Sequence, residues 1–260
     1  MNSVVETLMN RRTHRSFTGE PIREQDKKIL QEATLRSPTA GNMMLYSVIE
    51  VTDQYKRDQL ALLCDNQPMI AKAPLVWLFL ADMRKWVNYY HESGTVETGE
   101  KQQIAWRKPG AGDLLLATND ALIAAQTAVI AAESLGIGSC YIGDILEQHE
   151  QIVQLFDLPQ YTAVATLLIF GYPKNPQPLA HPAQRCPVSA IFMENSYQEP
   201  HLEALQQAYE KQEQHLRQQN LLPFSNTGTI ADYYYFRKHT SDFMQEMNRS
   251  AQAIIDRWMQ

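Results

Sequence analysis

The chain has 260 residues, of which 44% are hydrophobic and 20% are charged, and its formal net charge is -6 at pH 7. This composition is typical of an ordinary globular protein with a sizeable core, and the acidic balance argues against binding along a nucleic-acid backbone. The three cysteines and seven histidines are scattered and form no zinc or disulfide pattern, so we predict reduced thiols and no metal site.

No part of the sequence is typical of a signal peptide or a membrane span. Glu6 interrupts the short apolar stretch near the first residue. The longest apolar tract, residues 114–137, contains Asn119, Asp120 and Glu133, which favours a buried protein helix over lipid. We therefore expect a soluble, cytoplasmic protein with no membrane partner.

Apolar periodicity and turn residues predict a mixture of helices and strands. The predicted helices comprise residues 4–10, 24–35, 55–64, 113–135, 202–220 and 240–258. The predicted strands comprise residues 47–52, 75–80, 139–142 and 163–171. The proline-rich segment 173–187 is then expected to cross the surface.

Two segments differ from this simple alternation. Residues 84–112 are polar and show no sustained period, so we expect an exposed insertion or mobile cover and assign it no fixed structure. Residues 113–135 form the strongest predicted helix, which is rich in alanine and is followed by Gly136 and Gly138. Apolar residues on nearly every face place this helix at the centre of the fold, and its small side chains would also suit a dimer interface.

The most informative motif is a basic segment, called here the arginine run, with the sequence Arg11-Arg12-Thr13-His14-Arg15-Ser16-Phe17. Three arginines within five residues are unusual in a chain of negative net charge. Guanidinium groups bind phosphate through paired planar donors, so a phosphate-bearing ligand is one interpretation. A solvated basic turn at the end of the first helix is the other.

Two further motifs follow along the chain. The loop Ser37-Pro38-Thr39-Ala40-Gly41-Asn42 is rich in small residues, and Ala131-Ala132-Glu133-Ser134-Leu135-Gly136-Ile137-Gly138 leads to Tyr141-Ile142-Gly143. In this order and spacing, the motifs resemble those of the FMN-dependent nitroreductase family, over about residues 4–200. Arg185 and the later Glu194-Asn195-Ser196-Tyr197 are similar to the NADPH-dependent, oxygen-insensitive nitroreductase and flavin reductase branch of that family.

The resemblance implies an α+β fold in which helices flank a central, mostly antiparallel sheet, and it implies a homodimer. Residues 1–260 would form a single FMN-binding domain, with 84–112 as an insertion or cover and 200–260 as a helical C-terminal extension. The implied enzyme is an NAD(P)H-dependent FMN oxidoreductase with a ping-pong mechanism. NADPH or NADH would reduce FMN, and a nitroaromatic, a quinone or a flavin would then take the electrons. FMN carries the hydride chemistry, so no catalytic side chain is predicted.

The resemblance also implies which residues bind FMN. Arg11, Arg12 and Thr13 would contact the flavin side chain and phosphate, together with Arg185 from the far end of the chain. Arg15 would lie near the pyrimidine edge, where a fixed cation stabilises the charge of the reduced ring. Further contacts in the same subunit would come from Gln67, Tyr141, Ile142, Gly143 and Asp144. A loop of the other subunit would contact the cofactor across the dimer interface through Thr39, Gly41 and Asn42.

The sequence departs from the family pattern at several positions. Asp144 replaces a frequent glycine and adds a carboxylate close to a site expected to hold anions. Ala183 replaces a usual basic residue, for which Lys174 or His181 could substitute. Arg217 lies in a helix spaced differently from the arginine-bearing loop that grips the NADPH 2′-phosphate, so the sequence leaves the choice between NADPH and NADH open.

Two other functions are compatible with these residues. A specialised flavin reaction, such as reductive dehalogenation, would use the same cofactor, with residues 84–112 as a substrate cover. Alternatively, the arginine run could hold flavin or another phosphate ligand without turnover, in a storage or regulatory protein. Nucleic-acid binding through residues 11–15 is the weakest interpretation because the chain is acidic.

Overall fold

The computed structural model describes residues 2–176 and 185–260. The chain divides into two compact units, of which the first consists of Met1–Gln177 and Met247–Gln260 and the second of Pro178–Glu246. Residues 177–184, in the proline-rich segment, lie outside the described residues.

A four-stranded antiparallel sheet forms the centre of the first unit. In spatial order its strands are β1 (Tyr46–Glu50), β2 (Leu75–Asp82), β4 (Thr162–Gly171) and β3 (Gly138–Ile142). All residues of β2 and β4 are buried, because these two strands are central and are covered on both faces. β3 is an edge strand, so its outer edge is free to pair with another segment of the chain.

Helices account for most of the remaining regular structure. In chain order the helices of the described residues are α1 (Ser3–Asn10), α2 (Glu24–Leu35), α3 (Gln54–Leu63), α4 (Pro68–Lys72), α5 (Arg84–Glu92), α6 (Thr95–Lys101), α7 (Ala111–Ser134), α8 (His149–Phe156), α9 (Leu202–Gln218), α10 (Ile230–Tyr234) and α11 (Asp242–Met259). Short 3₁₀ turns occur at Ala40–Asn42, Gly143–Leu146 and Val188–Ala190.

Alternate residues of the central strands enter two different cores, because successive side chains of a strand point to opposite faces. On one face, Trp77, Phe79 and Phe170 pack against the alanine-rich side of α7. On the other face, Leu78 and Ile169 pack with residues of α3, α4 and α8. The small side chains of α7 let the helix approach the sheet closely, which makes it the central helix that the sequence predicts.

One side of α7 is exposed although the helix is apolar. Its length, and a mean hydropathy of 1.5 over an 18-residue window, would allow it to cross a membrane, but the core helix of a soluble protein has the same properties. Its alanines lie on the sheet. The opposite side, called here the α7 stripe, is exposed and comprises Leu115, Leu116, Asn119, Leu122, Ile123 and Gln126.

The end of α11 is part of the first unit. Trp258 is only 1% exposed and packs edge-on against Tyr161 with ring centres 6.0 Å apart. Its indole Nε1 donates to the carbonyl of Gly110 at 3.1 Å. Arg249 donates to both carboxylate oxygens of Glu150 at 2.8 and 2.9 Å, so the same helix is also tied to α8.

The second unit contains α9, α10 and a π-helical turn at Tyr235–His239. Arg217 holds this unit together, because its guanidinium donates to the carbonyls of Asn226 and Gly228 and pairs with Glu213 at 3.1 Å. The Arg217 guanidinium is therefore already hydrogen-bonded within its own unit.

Most predicted elements are confirmed, with ends that differ by a few residues, and the predicted α+β fold class is confirmed as well. The expectation that residues 84–112 have no fixed structure is wrong, since α5 and α6 lie there. Aromatic packing stabilises this segment: the Trp86 and Tyr90 ring centres are 5.6 Å apart, and those of Tyr90 and Trp106 are 6.3 Å apart. Such contacts give no periodic signal in the sequence.

Candidate cofactor site

The arginine run lies along the outer edge of β3. Arg11 is the C-cap residue after α1, and two residues later Thr13 forms a parallel bridge with Ser139 of β3. The backbone N–H of His14 donates to the carbonyl of Ser139 at 2.9 Å. Gly138 permits this approach, because a Cβ at that position would be only 2.7 Å from the His14 ring. The run is thus fixed to the sheet by backbone hydrogen bonds.

The arginines of the run form an unneutralised positive cluster. Arg11 and Arg12 are half-buried and Arg15 is exposed. Among residues 2–176 and 185–260, no carboxylate lies within salt-bridge distance of these three side chains. Arg12 donates to the backbone carbonyl of Asn175, which leaves its positive charge uncompensated. Burial, then Arg12 and Arg11, lower the pKa of His14, so this ring adds no charge at neutral pH.

Glu133, near the end of α7, is the acidic group that faces this cluster. Burial raises the pKa of its carboxyl, and the charges of Arg11 and Arg12 partly oppose that rise. Its Oε2 atom is buried and has no hydrogen-bond partner among the described residues. The sequence analysis quoted Glu133 in a motif but gave it no role, because its closeness to the arginine run depends on the packing of α1 against α7.

At the carboxyl end of β3, backbone groups rather than side chains are available to contact a ligand. Ile142 is 1% exposed and its side chain lies in the core, so only its backbone can reach a ligand. A Cβ on Gly143 would meet no atom within 4 Å, which leaves open space beside the chain. The Tyr141 hydroxyl donates to Gln126 at 3.2 Å, and burial raises the pKa of Tyr141 to about 12, so it stays protonated.

Gln67 and Asp144 meet at this end of the strand. Gln67 is the N-cap residue before α4, and its Nε2 atom donates to Asp144 Oδ2 at 2.8 Å. The two residues are 77 positions apart in the chain. Both belong to the predicted site, and the structure brings them together beside Gly143.

The second predicted group of site residues lies elsewhere in the subunit. Asp120 of α7 is buried and accepts hydrogen bonds from the Thr39 hydroxyl, from the Ala40 N–H at 2.9 Å and from the Leu45 N–H at 3.1 Å. These bonds fix the loop that contains Gly41 and Asn42, both of which are exposed.

This loop is remote from the arginine run of the same subunit. Asp120 and Glu133 are 13 residues apart on α7, which corresponds to about 20 Å along a helix. Sequence reasoning did not assign Asp120 its role, which depends on partners 75 to 81 positions away.

The basic residues of the proline-rich segment are only partly described. Lys174 lies beside the end of the arginine run, because its backbone N–H donates to the carbonyl of Ser16 at 3.2 Å. Its side chain is exposed, so it can supply the extra positive charge that Ala183 does not. His181 and Ala183 lie outside the described residues, and Arg185 is an exposed residue of the second unit.

The donor set fits a cofactor that combines a phosphate with a planar polar ring. The uncompensated guanidiniums of the arginine run suit a phosphate. The open backbone at Gly143 and the Gln67 amide suit the edge of a heterocycle that carries hydrogen-bonding groups, and FMN has both parts. No cluster of three or more His, Cys, Asp or Glu side chains suitable for a metal occurs in the part of the chain that the structure describes.

Comparison with known proteins also points to a protein that uses FMN. Residues 8–172 match the Nitroreductase family. The chain is 32% identical over 197 residues to an FMN reductase (NADPH) of Bacillus subtilis, which covers 76% of this chain and 75% of that protein. It is 30% identical to the oxygen-insensitive NADPH nitroreductase of Salmonella typhimurium, over 82% and 81% of the two chains. The crystal structure of nitroreductase A from Vibrio parahaemolyticus matches with a TM-score of 0.81, 24% identity and 100% and 98% coverage.

These findings place the chain among the flavin and nitro reductases, and the α+β sheet with its basic edge agrees with that class. The chain belongs to the Nitroreductase family. The resemblance inferred from the arginine run and the two later motifs is therefore confirmed.

Proposed function

We propose that this chain is an oxidoreductase that uses FMN to pass electrons from NADPH or NADH to a small, electron-poor acceptor. The reaction class agrees with the relatives, which are named as NADPH-dependent FMN reductases and nitroreductases. The observation that carries the proposal is the arginine run fixed along the β3 edge, with three guanidiniums that have no carboxylate partner in the described residues.

Different residues of the site bind different parts of FMN. Arg11, Arg12 and Thr13 bind the phosphate end, with Arg185 in the same role. Arg15 supplies positive charge for the ring, and Gln67 supplies an amide. The backbone at 141–143 approaches the ring because Gly143 leaves space there. When bound, FMN supplies the N5 atom that accepts and returns hydride, so the protein has to bind and orient the reactants.

The active form proposed is a homodimer that packs through the α7 stripe. Leu115 is 66% exposed and Leu116 is 49% exposed, which is unusual for large apolar side chains on a core helix. A second copy would cover them. The loop with Thr39, Gly41 and Asn42 would then meet the FMN of the partner subunit, which accounts for its distance from the arginine run of its own subunit.

Residues 84–112 are proposed to cover the acceptor site. Together with the 39–45 loop, α5, α6 and the chain that follows them line a cavity of about 650 Å³. Its lining includes Gly41, Tyr90, Ile104 and Trp106. Aromatic walls beside a predicted flavin loop suit a flat acceptor, such as a nitroaromatic, a quinone or a flavin.

The donor is NADPH or NADH, and the compartment proposed is the cytoplasm. Arg217 cannot serve as a free grip for a 2′-phosphate without breaking its bonds to Asn226 and Gly228. The thiols of Cys64 and Cys140 are free and buried, and Cys186 is also free, which fits a reducing compartment.

Arginine variants test the placement of FMN. Arg15→Ala should weaken FMN binding about 10- to 100-fold, because a charge-assisted contact contributes about 1.5–3 kcal/mol, and it should lower the reduction potential. Arg185→Ala should weaken binding with little change in potential. Arg36→Ala, at the exposed end of α2, is the control for loss of one positive charge. Fluorescence titration with FMN measures the affinity, and unchanged affinity in both Arg15→Ala and Arg185→Ala would show that the placement is wrong.

A further inference from the structure

The contact between Gln67 and Asp144 fixes the orientation of the Gln67 amide. A carboxylate only accepts hydrogen bonds, so the Nε2 end must face Asp144. The Gln67 backbone is fixed too, since its N–H donates to Ala61 at 2.8 Å and its carbonyl accepts the Ile70 N–H at 3.1 Å. The side-chain oxygen Oε1 is the remaining free end, and no group in the described part of the chain donates to it.

Asp144 also places negative charge where Arg15 places positive charge. Burial raises the pKa of the Cys140 thiol, while Arg15 opposes this rise and Asp144 reinforces it. Burial and then Asp144 raise the pKa of the Cys64 thiol on the neighbouring helix. The Asp144 carboxylate therefore acts on the same small region as the Arg15 guanidinium, with the opposite sign.

We propose that Asp144 is a positioning residue for FMN. Its carboxylate orients the Gln67 amide so that Oε1 is presented to the cofactor as a hydrogen-bond acceptor, and it partly offsets the positive charge of Arg15. The proposal rests on the proposed function, because FMN must bind at this site. An acceptor at Gln67 selects an N–H or hydroxyl of the cofactor and disfavours its carbonyl oxygens. The carboxylate disfavours the negative charge that the ring gains on reduction, so it keeps the reduction potential of bound FMN low.

Two substitutions at one position separate orientation from charge. In Asp144→Asn the side-chain carbonyl still accepts from Gln67 Nε2, but the charge is lost. In Asp144→Ala both the acceptor and the charge are lost. Asp157→Asn is the matched control, because Asp157 is exposed at the end of α8 with φ +50°, a conformation that asparagine tolerates. Fluorescence titration gives FMN affinity, spectroelectrochemistry gives the midpoint potential, and thermal unfolding of the apoprotein reports on folding.

Asp144→Asn should bind oxidised FMN within about twofold of the unsubstituted protein, and its preference for reduced FMN should rise about tenfold. That change equals about 30 mV for a two-electron couple. Asp144→Ala should show the same shift and bind FMN about five- to tenfold more weakly. In the Asp144→Ala background, Gln67→Ala should add little further loss, because the two residues act together. Asp157→Asn should change neither quantity.

Two results would overturn the assignment to Asp144 while FMN still binds. One is an Asp144→Asn protein whose midpoint potential equals that of the unsubstituted protein. The other is an Asp144→Ala protein that keeps full FMN affinity while Gln67→Ala alone loses it. If the unsubstituted protein itself bound no FMN, the proposed function would fail, and the role of Asp144 would fail with it.

Discussion

Replacement of Gly138 by alanine should separate the arginine run from β3. The new Cβ would lie 2.7, 2.8 and 2.9 Å from the Cγ, Cδ2 and Cβ atoms of His14. Ordinary contact begins at 3.4 Å, so His14 must retreat by about 0.7 Å, the difference between 3.4 and 2.7 Å. Crowding of this kind costs about 1–3 kcal/mol. The displaced run would also lose part of its grip on phosphate, and a loss of about 1.4–3 kcal/mol corresponds to about 10- to 100-fold in Kd.

The assay combines FMN titration by fluorescence with thermal unfolding of the apoprotein. Gly112→Ala is the matched control, because a Cβ there meets nothing within 4 Å and alanine favours the helix. It should keep FMN affinity and unfold at the same temperature or higher. The double variant Gly138→Ala/His14→Ala removes the contacts with Cγ and Cδ2 and leaves the one with Cβ at 2.9 Å, so it should regain part of the affinity. If Gly138→Ala alone bound FMN as tightly as the unsubstituted protein and unfolded at the same temperature, the contact of His14 with Gly138 would not position the arginine run.

Three further predictions follow from buried or paired side chains. Asp120→Asn should weaken the hydrogen bonds that hold the 39–45 loop and lower the free energy of unfolding by about 1–3 kcal/mol, measured with urea, since one buried acceptor becomes a donor; equal stability would mean that Asp120 does not hold this loop. Trp258→Ala should cost about 3–5 kcal/mol in the same assay, and a loss below about 1 kcal/mol would mean that the end of α11 is not part of the core. Arg249 lowers the pKa of Glu150 to about 2, so the ion pair stabilises the fold above the ordinary carboxyl pKa and is lost as pH falls towards 2. Glu150→Gln should therefore cost under about 1 kcal/mol at pH 7, because the pair is exposed, and this difference should shrink in acid; a constant difference across pH would refute the pairing.

The parts of the fold that could be predicted are those with a local signal. β2 and β4 consist mostly of apolar residues, as expected for strands covered on both faces. Charge alone marked the arginine run as a candidate phosphate site, and the order of the motifs identified the family. The sequence did not reveal where β3 lies in the sheet, although its edge position decides which strand the arginine run can reach.

The parts that could not be predicted depend on long-range partners. The carboxylate of Asp120 interrupts an apolar helix in the sequence, but its purpose is visible only when Thr39 and Ala40 lie beside it. The closeness of Glu133 to Arg11 and Arg12, and the contact of Asp144 with Gln67, likewise depend on residues of distant segments. In 84–112 the aromatic contacts within α5, and between α5 and Trp106, follow no regular spacing in the sequence.

The most direct test of the central claim is the visible spectrum of the purified protein, supplied with FMN and then freed of oxygen. Addition of NADPH, or of NADH in a parallel sample, should bleach the bands of bound flavin, and the two rates rank the donors. Bound flavin that stays oxidised with both donors would contradict the reductase function and favour a binding protein. A protein that retains no FMN would contradict the site itself.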